Sequence, residues 1–449
     1  MTLYLSQLAP ALLSLFSSDA DLAAKDSGCV LRLRHGGFSG SSLSQTLVFG
    51  WLEKPDATLE DLAQRAASLH VFVSPQALDQ RFTFETSEFL RSLLAKVVSQ
   101  VICANPVAIP LLERFSSVDV FDSSTISLPD CLALFWSGCG ERTGKGQAAL
   151  KIHVQLDLLT GCLKGPFLSD ARLSDQASPL LQNTGFEKRA LRVGDLGFFS
   201  LPRFKALTEA GVYWLSRPKV QTQVFETLGG KPVNLVKWLE EKEVEGEVNC
   251  EIYLGKEEQL PARLLAMRVS PAIAEGRRAK LRAEAKSKSE KVSQAKLDLA
   301  GWTLLVTNVP EELMNVVEGV VLMRARWQIE LLFKRWKGLG KIDEWRSEAP
   351  MRILCEVYAK LLGLVIEHWC LLSAWEQTNR SLVKAMKTVR KYVGMIVNGL
   401  LGRVSLKEVL EEMREALSHG CKINTRKKKP NTYQQLLDPK LSHQPYIRT

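Results

Sequence analysis

The hydrophobic pattern changes its period at Ser117, and this change constrains the fold more than any other feature of the sequence. Residues 1–115, before it, read mostly as helices. After it, short apolar runs typical of strands appear, and they then alternate with helical segments as far as Arg217. Strands followed by an alternation of helices and strands are typical of a mixed sheet with helices packed on it. The sequence therefore predicts a mixed α/β chain.

Individual elements can be read from this part of the sequence. The Thr160-Gly161 pair is a turn signal between two apolar runs. The predicted strands cover residues 118–126, 149–159, 162–168, 192–195 and 212–216, and a helix covers 201–210. A helix placed between two short strands indicates that parts of the sheet are connected through helices.

Residues 218–300 interrupt this pattern and read as an insertion. Their strand-like stretches are short and irregular, and a highly charged helix is predicted over 275–296. A strand over 302–307 and an amphipathic helix over 316–337 then follow. The predicted regions are a helical part (1–115), a first α/β part (116–217), a β-rich insertion (218–300), a second α/β part (301–375) and a helical region with a basic tail (376–449).

The N-terminal region contains a pair of short helices that suggests DNA binding. The first is predicted over 58–69, with Thr58 and Asp61 in a capping-box arrangement. Ser74-Pro75 opens a second helix that carries Gln76, Gln80 and Arg81. The pair is either a helix-turn-helix that reads DNA or an ordinary helical hairpin.

Composition and charge narrow the classes of function. The net charge is +10 and the sequence pI is near 9.1, which makes polyanions plausible partners. Nine cysteines without a C-x-x-C pair, and six dispersed histidines, disfavour a zinc site and fit reduced thiols in a cytoplasmic protein. The most apolar stretch, 352–372, contains Glu356, Lys360 and Glu367, so a buried helix is predicted there and no membrane span.

Three acidic residues are candidates for metal chemistry. Asp122 lies in an apolar strand, Asp195 ends a short strand, and Glu330 lies in the helix over 316–337. Carboxylates from separate elements can together bind Mg²⁺, which prefers oxygen ligands. Taken singly, each is more simply explained as a solvated surface acid, and Asp119 and Asp157 look similar by composition.

The helix over 316–337 has two faces. A stripe of apolar residues at helical spacing predicts a core face, formed by Leu322, Ala325, Ile329, Leu332, Phe333 and Trp336. The neighbouring stripe contains Met323, Arg326, Glu330 and Lys337. From Arg326 to Lys337 it would extend about 16 Å, long enough to follow several phosphates. The alternative is an ordinary surface ion pair between Arg326 and Glu330.

These residues resemble a family. Arg326-x(3)-Glu330-x(6)-Lys337 is similar to the Y-x(2)-R-x(3)-E-x(6)-K signature of bacterial DDE transposases of the insertion-sequence-four family. VFDSSTISLP and RVGDLGFF resemble the segments that carry the first two catalytic aspartates, here Asp122 and Asp195. GWTLLVTNVP, with Trp302, resembles the strand before the signature helix, and TRKKKP resembles the basic tail.

The resemblance implies a fold, a reaction and partners. The fold is an RNase H-like catalytic domain interrupted by the β-rich insertion, between the helical N-terminal and C-terminal regions. The reaction is cut-and-paste transposition through a hairpin intermediate, with two Mg²⁺ ions, or Mn²⁺, held by Asp122, Asp195 and Glu330. The partners are double-stranded DNA, as terminal inverted repeats and target, and a second copy of the chain in the DNA complex. The implied location is the cytoplasm, associated with the nucleoid.

The resemblance also implies DNA contacts for individual side chains. Arg326 and Lys337 would bind phosphates. Trp302 would stack on a flipped base; the alternative is a core tryptophan, because strand interiors usually bury their aromatic residues. Met323 stands where the signature has Tyr, and methionine cannot donate a hydrogen bond to phosphate.

Several alternatives remain open at the level of the sequence. Arg217 either contacts DNA or forms a loop salt bridge, and Lys334 is a further candidate for a DNA contact. The charged helix over 275–296 is either solvated or in contact with the DNA backbone. For the whole chain, the alternatives to a transposase are a catalytically inactive DNA-binding derivative and a nuclease of similar fold.

Overall fold

The computed structural model of the chain describes residues 3–30, 37–140, 146–182, 185, 187–287, 289–376, 380–423 and 430–443. The described residues contain helices and strands in both halves of the chain. The helices are α1 (Leu3–Ser14), α2 (Ala20–Asp26), α3 (Gly40–Glu53), α4 (Leu59–Ser68), α5 (Pro75–Asp79), α6 (Phe84–Ser99), α7 (Pro179–Gln182), α8 (Leu201–Glu209), α9 (Leu235–Lys242), α10 (Pro271–Ser287), α11 (Gln294–Leu299), α12 (Val316–Ala325), α13 (Trp327–Gly338), α14 (Pro350–Leu372), α15 (Leu382–Lys391), α16 (Val393–Leu400), α17 (Leu406–Gly420) and α18 (Thr432–Leu437). The strands are β1 (Val118–Leu128), β2 (Ala148–Asp157), β3 (Leu163–Asp170), β4 (Leu191–Val193), β5 (Tyr213–Ser216), β6 (Val224–Phe225), β7 (Glu247–Leu254), β8 (Leu260–Arg268) and β9 (Trp302–Thr307).

The chain divides into two compact units. The first unit comprises Met1–Val107, Ser123–Leu180 and Ile329–Asn424, and the second comprises Ala108–Asp122, Leu181–Gln328 and Thr425–Thr449. All nine cysteines lie in the described part of the chain, and all are free. Of the basic tail predicted at 426–430, residues 426–429 lie outside the described residues.

The first unit is built around α14, which is buried along most of its length and packs against α3 and α6. The charges that interrupt its apolar sequence are paired inside the core. Lys360 lies 2.7 Å from Glu356, and Arg390 of α15 lies 2.9 Å from Glu367. The predicted buried helix is therefore confirmed, and among the described residues no helix is long and apolar enough to cross a membrane. β2 and β3 form an antiparallel pair in this unit.

The second unit contains a mixed sheet in the order β1-β4-β5-β9-β8-β7-β6. β1, β4 and β5 are parallel neighbours, whereas β9, β8, β7 and β6 follow as antiparallel strands. Phe204 of α8 stacks on Trp214 of β5 with ring centroids 4.2 Å apart, which fixes this helix on the sheet. The predicted mixed α/β organisation is confirmed, and the strand predicted over 302–307 is β9.

Two long helices predicted from the sequence are each divided in two. The helix predicted over 316–337 is α12 followed directly by α13, and the division falls at Arg326, whose backbone keeps right-handed helical angles. The charged helix predicted over 275–296 consists of α10 and α11. Ser289 has a φ of +55°, which an α-helix cannot accommodate, and Ser293 caps the new helix.

The predicted helix that begins at Ser74-Pro75 is shorter than expected. α5 ends at Asp79, so Gln80 is its C-cap residue and Arg81 lies beyond it. The reason is the next helix: the Thr83 side chain accepts a hydrogen bond from the Thr86 amide and starts α6. The capping box predicted for the preceding helix is present, because Thr58 and Asp61 exchange the expected bonds.

Candidate active site

Asp122 and Asp195 lie just beyond the point where the parallel pairing of β1 with β4 ends, Asp122 within β1 and Asp195 after β4. β1 pairs with β4 so that Val120 stands opposite Val193. Asp122 comes two residues after Val120, and Asp195 comes two residues after Val193. Side chains two residues apart in an extended segment point to the same face of the sheet. The register therefore brings the two carboxylates near each other beyond the last paired residues of β1 and β4, where a nearby cation relieves the repulsion between them.

Arg326 supplies that cation. Its Nη1 lies 3.0 Å from Oδ2 of Asp122, and its Nη2 lies 3.5 Å from Oδ2 of Asp195. The Arg326 side chain is only 10% exposed, whereas the aspartate side chains are 23% and 39% exposed. A planar guanidinium has separate donors for two acceptors, so one arginine can bridge both carboxylates.

The N-terminal end of α12 is firmly anchored, and this positions Arg326 at the other end. Asn315 and Glu318 form a capping box that begins the helix. Arg114 donates to both carboxylate oxygens of Glu318, each at 2.9 Å. Gly319 allows α12 to approach β8 closely, since a Cβ there would lie 2.8 Å from Cδ1 of Leu265.

A second buried arginine supports the strand pair itself. Arg192 of β4 stands opposite Asp119 of β1, and its guanidinium lies 4.7 Å from the centroid of the Phe121 ring. Burial lowers the pKa of Arg192 to about 10, and the charge of Asp119 opposes this effect. The guanidinium therefore remains charged at neutral pH, and the charge of Asp119 and the contact with the Phe121 ring offset part of the cost of its burial.

Residues 113–366, more than half of the chain, match the family described as Transposase DDE domain. The chain belongs to the DDE transposase family. The matched segment includes Asp122, Asp195 and Glu330. The transposase is therefore an enzyme that acts on DNA, and its family implies dependence on a divalent metal ion.

Curated relatives agree with this assignment. The transposase for insertion sequence element IS231F of Bacillus thuringiensis subsp. israelensis is 27% identical over 387 residues, which are 81% of this chain and 79% of that protein. The transposase for insertion sequence element IS1151 of Clostridium perfringens is 24% identical over 342 residues, 71% of this chain and 72% of that protein. The putative transposase InsL for insertion sequence element IS186A of Escherichia coli (strain K12) is 26% identical over 227 residues, 49% of this chain and 60% of that protein. The predicted assignment to bacterial DDE insertion-sequence transposases is confirmed, and the insertion-sequence-four family is consistent with it.

Glu330, Lys334 and Lys337 lie on α13. Glu330 and Lys337 are half-buried, and Lys334 is exposed. The Lys337 ammonium donates a 2.8 Å hydrogen bond to the backbone carbonyl of Thr125 on β1. The predicted core face is confirmed because all its members are buried: Leu322, Ala325, Ile329, Leu332, Phe333 and Trp336.

Met323, at the position of the signature Tyr, lies on α12 and is 6% exposed. Its side chain therefore packs in the interior of the second unit. A methionine in this position adds apolar packing and offers no hydrogen bond to DNA.

Trp302 lies in the hydrophobic core of the second unit, with 5% of its surface exposed. The guanidinium of Arg268, its partner on β8, lies 4.4 Å from the ring centroid. Nη1 of Arg277 donates a 2.8 Å hydrogen bond to the Trp302 carbonyl. This placement favours the core interpretation, because a ring that stacks on a DNA base needs an exposed face.

The remaining candidate cations differ in their surroundings. Arg217 is exposed directly after β5, and no ion pair of Arg217 occurs among the described residues, so of its two alternatives the loop salt bridge is not found there. On the charged helix α10, Arg277 is committed to the Trp302 carbonyl and to the Thr303 hydroxyl, and Arg282 pairs with Glu275 at 2.9 Å. Part of the positive charge of α10 is therefore used within the fold.

The structure separates the candidate acids from two others that look similar in sequence. Asp119 is 5% exposed and accepts a hydrogen bond from the Ser117 hydroxyl. Asp157 is 6% exposed and accepts bonds from the amides of Leu159 and Thr160. Both therefore have structural roles. Sequence reasoning missed the bridging role of Arg326, because the partners considered for this arginine were a DNA phosphate and, as the alternative, Glu330.

The donor set at Asp122 and Asp195 fits a hard divalent cation. Both groups are carboxylates, and the structure already brings a positive charge into contact with both. Among the described residues, no three His, Cys, Asp or Glu side chains are grouped closely enough to hold a metal ion. Of the three acids predicted to bind the metal, Asp122 and Asp195 are therefore the two that the structure joins, through their shared contact with Arg326.

Proposed function

We propose that this transposase moves an insertion sequence by cut-and-paste transposition, cleaving DNA at the ends of the element and joining them to target DNA. Asp122, Asp195 and Glu330 would hold two Mg²⁺ ions, and Mn²⁺ could replace them. The observation that carries the proposal is the alignment of Asp122 and Asp195 by the parallel β1–β4 register, with Arg326 in contact with both.

Each group has a defined task in this proposal. Two bound divalent ions would stabilise the charge on the attacking and leaving oxygens of a phosphodiester. The carboxylates of Asp122 and Asp195 would bind the ions beside β1 and β4 of an RNase H-like sheet, because side chains on or next to regular elements are held more precisely than those on loops. Lys337, Lys334 and Arg217 would bind phosphate oxygens and so orient the DNA backbone.

The proposal is tested with DNA that carries the ends of the element. A linear fragment bearing both terminal repeats is incubated with the purified chain and Mg²⁺, and the products are separated on a denaturing gel. Release of the element by double-strand breaks, followed by joining to a plasmid target, is the expected outcome. Specific end binding without any cleavage would instead support the catalytically inactive derivative.

The proposal extends to assembly and location. Because cut-and-paste transposition joins two ends, we propose that a homodimer forms on paired ends. The net charge of +10 supports attraction to DNA, and hence association with the nucleoid in the cytoplasm. Mass measurement of the complex on two end duplexes tests this stoichiometry.

Lys337→Ala should weaken end binding and reduce its dependence on salt. A lysine that neutralises one phosphate contributes about one unit to the slope of log affinity against log salt concentration. The matched control is Lys407→Ala, which removes a half-exposed lysine on α17 that lies 3.9 Å from Glu411. Binding is measured by fluorescence anisotropy over a salt titration. An unchanged slope in Lys337→Ala, or the same change in the control, would remove Lys337 from the DNA interface.

We further propose that residues 1–115 recognise the ends of the element through α5 and the turn after it. Gln76, Gln80 and Arg81 are all exposed there, and glutamine and arginine are the side chains that bond adenine and guanine edges.

Arg81→Ala should therefore reduce binding to end DNA by roughly 1–3 kcal/mol and leave binding to unrelated DNA nearly unchanged. The control is Arg91→Ala, on α6, whose arginine pairs with Glu88 at 2.6 Å. Competition gel shifts with end and scrambled duplexes measure the difference. Equal losses on both duplexes would assign Arg81 to the backbone, and no loss would favour the helical-hairpin interpretation.

A further inference from the structure

The contact of Arg326 with both aspartates has a consequence for metal binding. Its Nη1 and Nη2 contact Oδ2 of Asp122 and Oδ2 of Asp195, at 3.0 and 3.5 Å, and only 10% of its side chain is exposed. A positive charge that is largely shielded from water repels a second cation placed on the same carboxylates. We infer that Arg326 is an exchangeable counter-ion, which must leave Asp122 and Asp195 when a divalent metal ion binds them.

This inference rests on the proposed metal site and adds an order of binding to it. While Arg326 bridges both carboxylates, they neutralise its charge and only 10% of its side chain is exposed, so it is poorly placed to bind a DNA phosphate as well. Arg326 that is displaced from Asp122 and Asp195 becomes available to a phosphate, which is the contact implied for it by the signature. Metal binding and phosphate binding at Arg326 are then coupled, and each favours the other.

The opposite role makes a different prediction. If Arg326 instead held the carboxylates in the geometry that the metal needs, removing it would weaken metal binding, as loss of an orienting partner of a metal ligand does. Competition and orientation therefore change the metal affinity in opposite directions, and the affinity distinguishes them without any measurement of catalysis.

The experiment is a titration of the full chain with Mn²⁺ in the absence of DNA, with free Mn²⁺ measured by electron paramagnetic resonance. Arg326→Gln should bind Mn²⁺ about tenfold more tightly than the unaltered chain, the order expected when one charge-assisted interaction no longer competes. The matched control is Arg324→Gln, which removes an exposed arginine two positions earlier on α12 and should leave the affinity unchanged.

A second variant at the same position keeps the inference testable if Arg326→Gln does not fold. Arg326→Lys keeps a positive charge but cannot contact both carboxylates with a planar fork, so its Mn²⁺ affinity should lie between those of the unaltered chain and Arg326→Gln. Circular dichroism establishes which variants are folded. Equal or weaker Mn²⁺ binding by the folded Arg326 variants would overturn the inference. Absence of Mn²⁺ binding in every form, Arg326→Gln included, would overturn the proposed metal site as well.

Discussion

Asp122→Asn, Asp195→Asn and Glu330→Gln are each expected to abolish cleavage of end DNA, with losses of at least about a thousandfold in rate. The amide side chains keep the shape of the carboxylates but lose the negative charge that a divalent cation requires. Binding of end DNA should be largely retained, because phosphate contacts come from cations and not from these acids. Nicking of a labelled end duplex and a gel shift with the same duplex measure the two properties.

The control for this series is Asp343→Asn, which alters an exposed aspartate within the matched segment 113–366. It should cleave at the rate of the unaltered chain. If a variant of Asp122, Asp195 or Glu330 cleaves end DNA at the rate of the unaltered chain, the residue that it replaces is not a metal ligand. If all three retain it, the proposed chemistry is wrong, whereas the family assignment, which depends on the sequence match, still stands.

The sequence could identify Asp122 and Asp195 as candidates because VFDSSTISLP and RVGDLGFF resemble the family segments that carry the first two catalytic aspartates. It could not show that they lie side by side. That depends on the parallel pairing of β1 with β4, and the chain forms the antiparallel pair β2–β3 between these two strands. Which distant strands pair with each other depends on the assembly of the whole sheet and cannot be read from the local sequence of β1 or β4.

The division of the predicted helix at Arg326 could not be predicted from the sequence either. The apolar spacing from Leu322 to Trp336 is continuous and predicts one helix, and its buried face is indeed present in both α12 and α13. At the division the Arg326 backbone keeps right-handed helical angles, and its side chain pairs with Asp122 and Asp195. Helical periodicity reports which face is buried and carries no information on such contacts.

The role of the Trp302 side chain could not be decided from the sequence either. The sequence placed it correctly at the start of a strand but left two roles open, stacking on a DNA base or packing in the core. The decisive facts are tertiary: β9 lies between β5 and β8, and Arg268 of β8 covers the ring. A tryptophan with 5% exposure contributes mainly through burial and through the cation–π contact.

Trp302→Ala is therefore expected to lower the free energy of unfolding by about 3–5 kcal/mol, the usual cost of removing a buried aromatic side chain. Because this cost falls on the whole second unit, nicking and hairpin formation should decline together as the folded fraction declines. Trp302→Phe should restore part of the stability and both activities in parallel. Phe72→Ala, which truncates an aromatic residue that is 76% exposed, is the control and should leave the unfolding transition nearly unchanged. Thermal melts and a denaturing gel of the reaction products measure the two effects. A variant that melts normally, nicks normally and fails only at the hairpin would contradict the core role and establish base stacking instead.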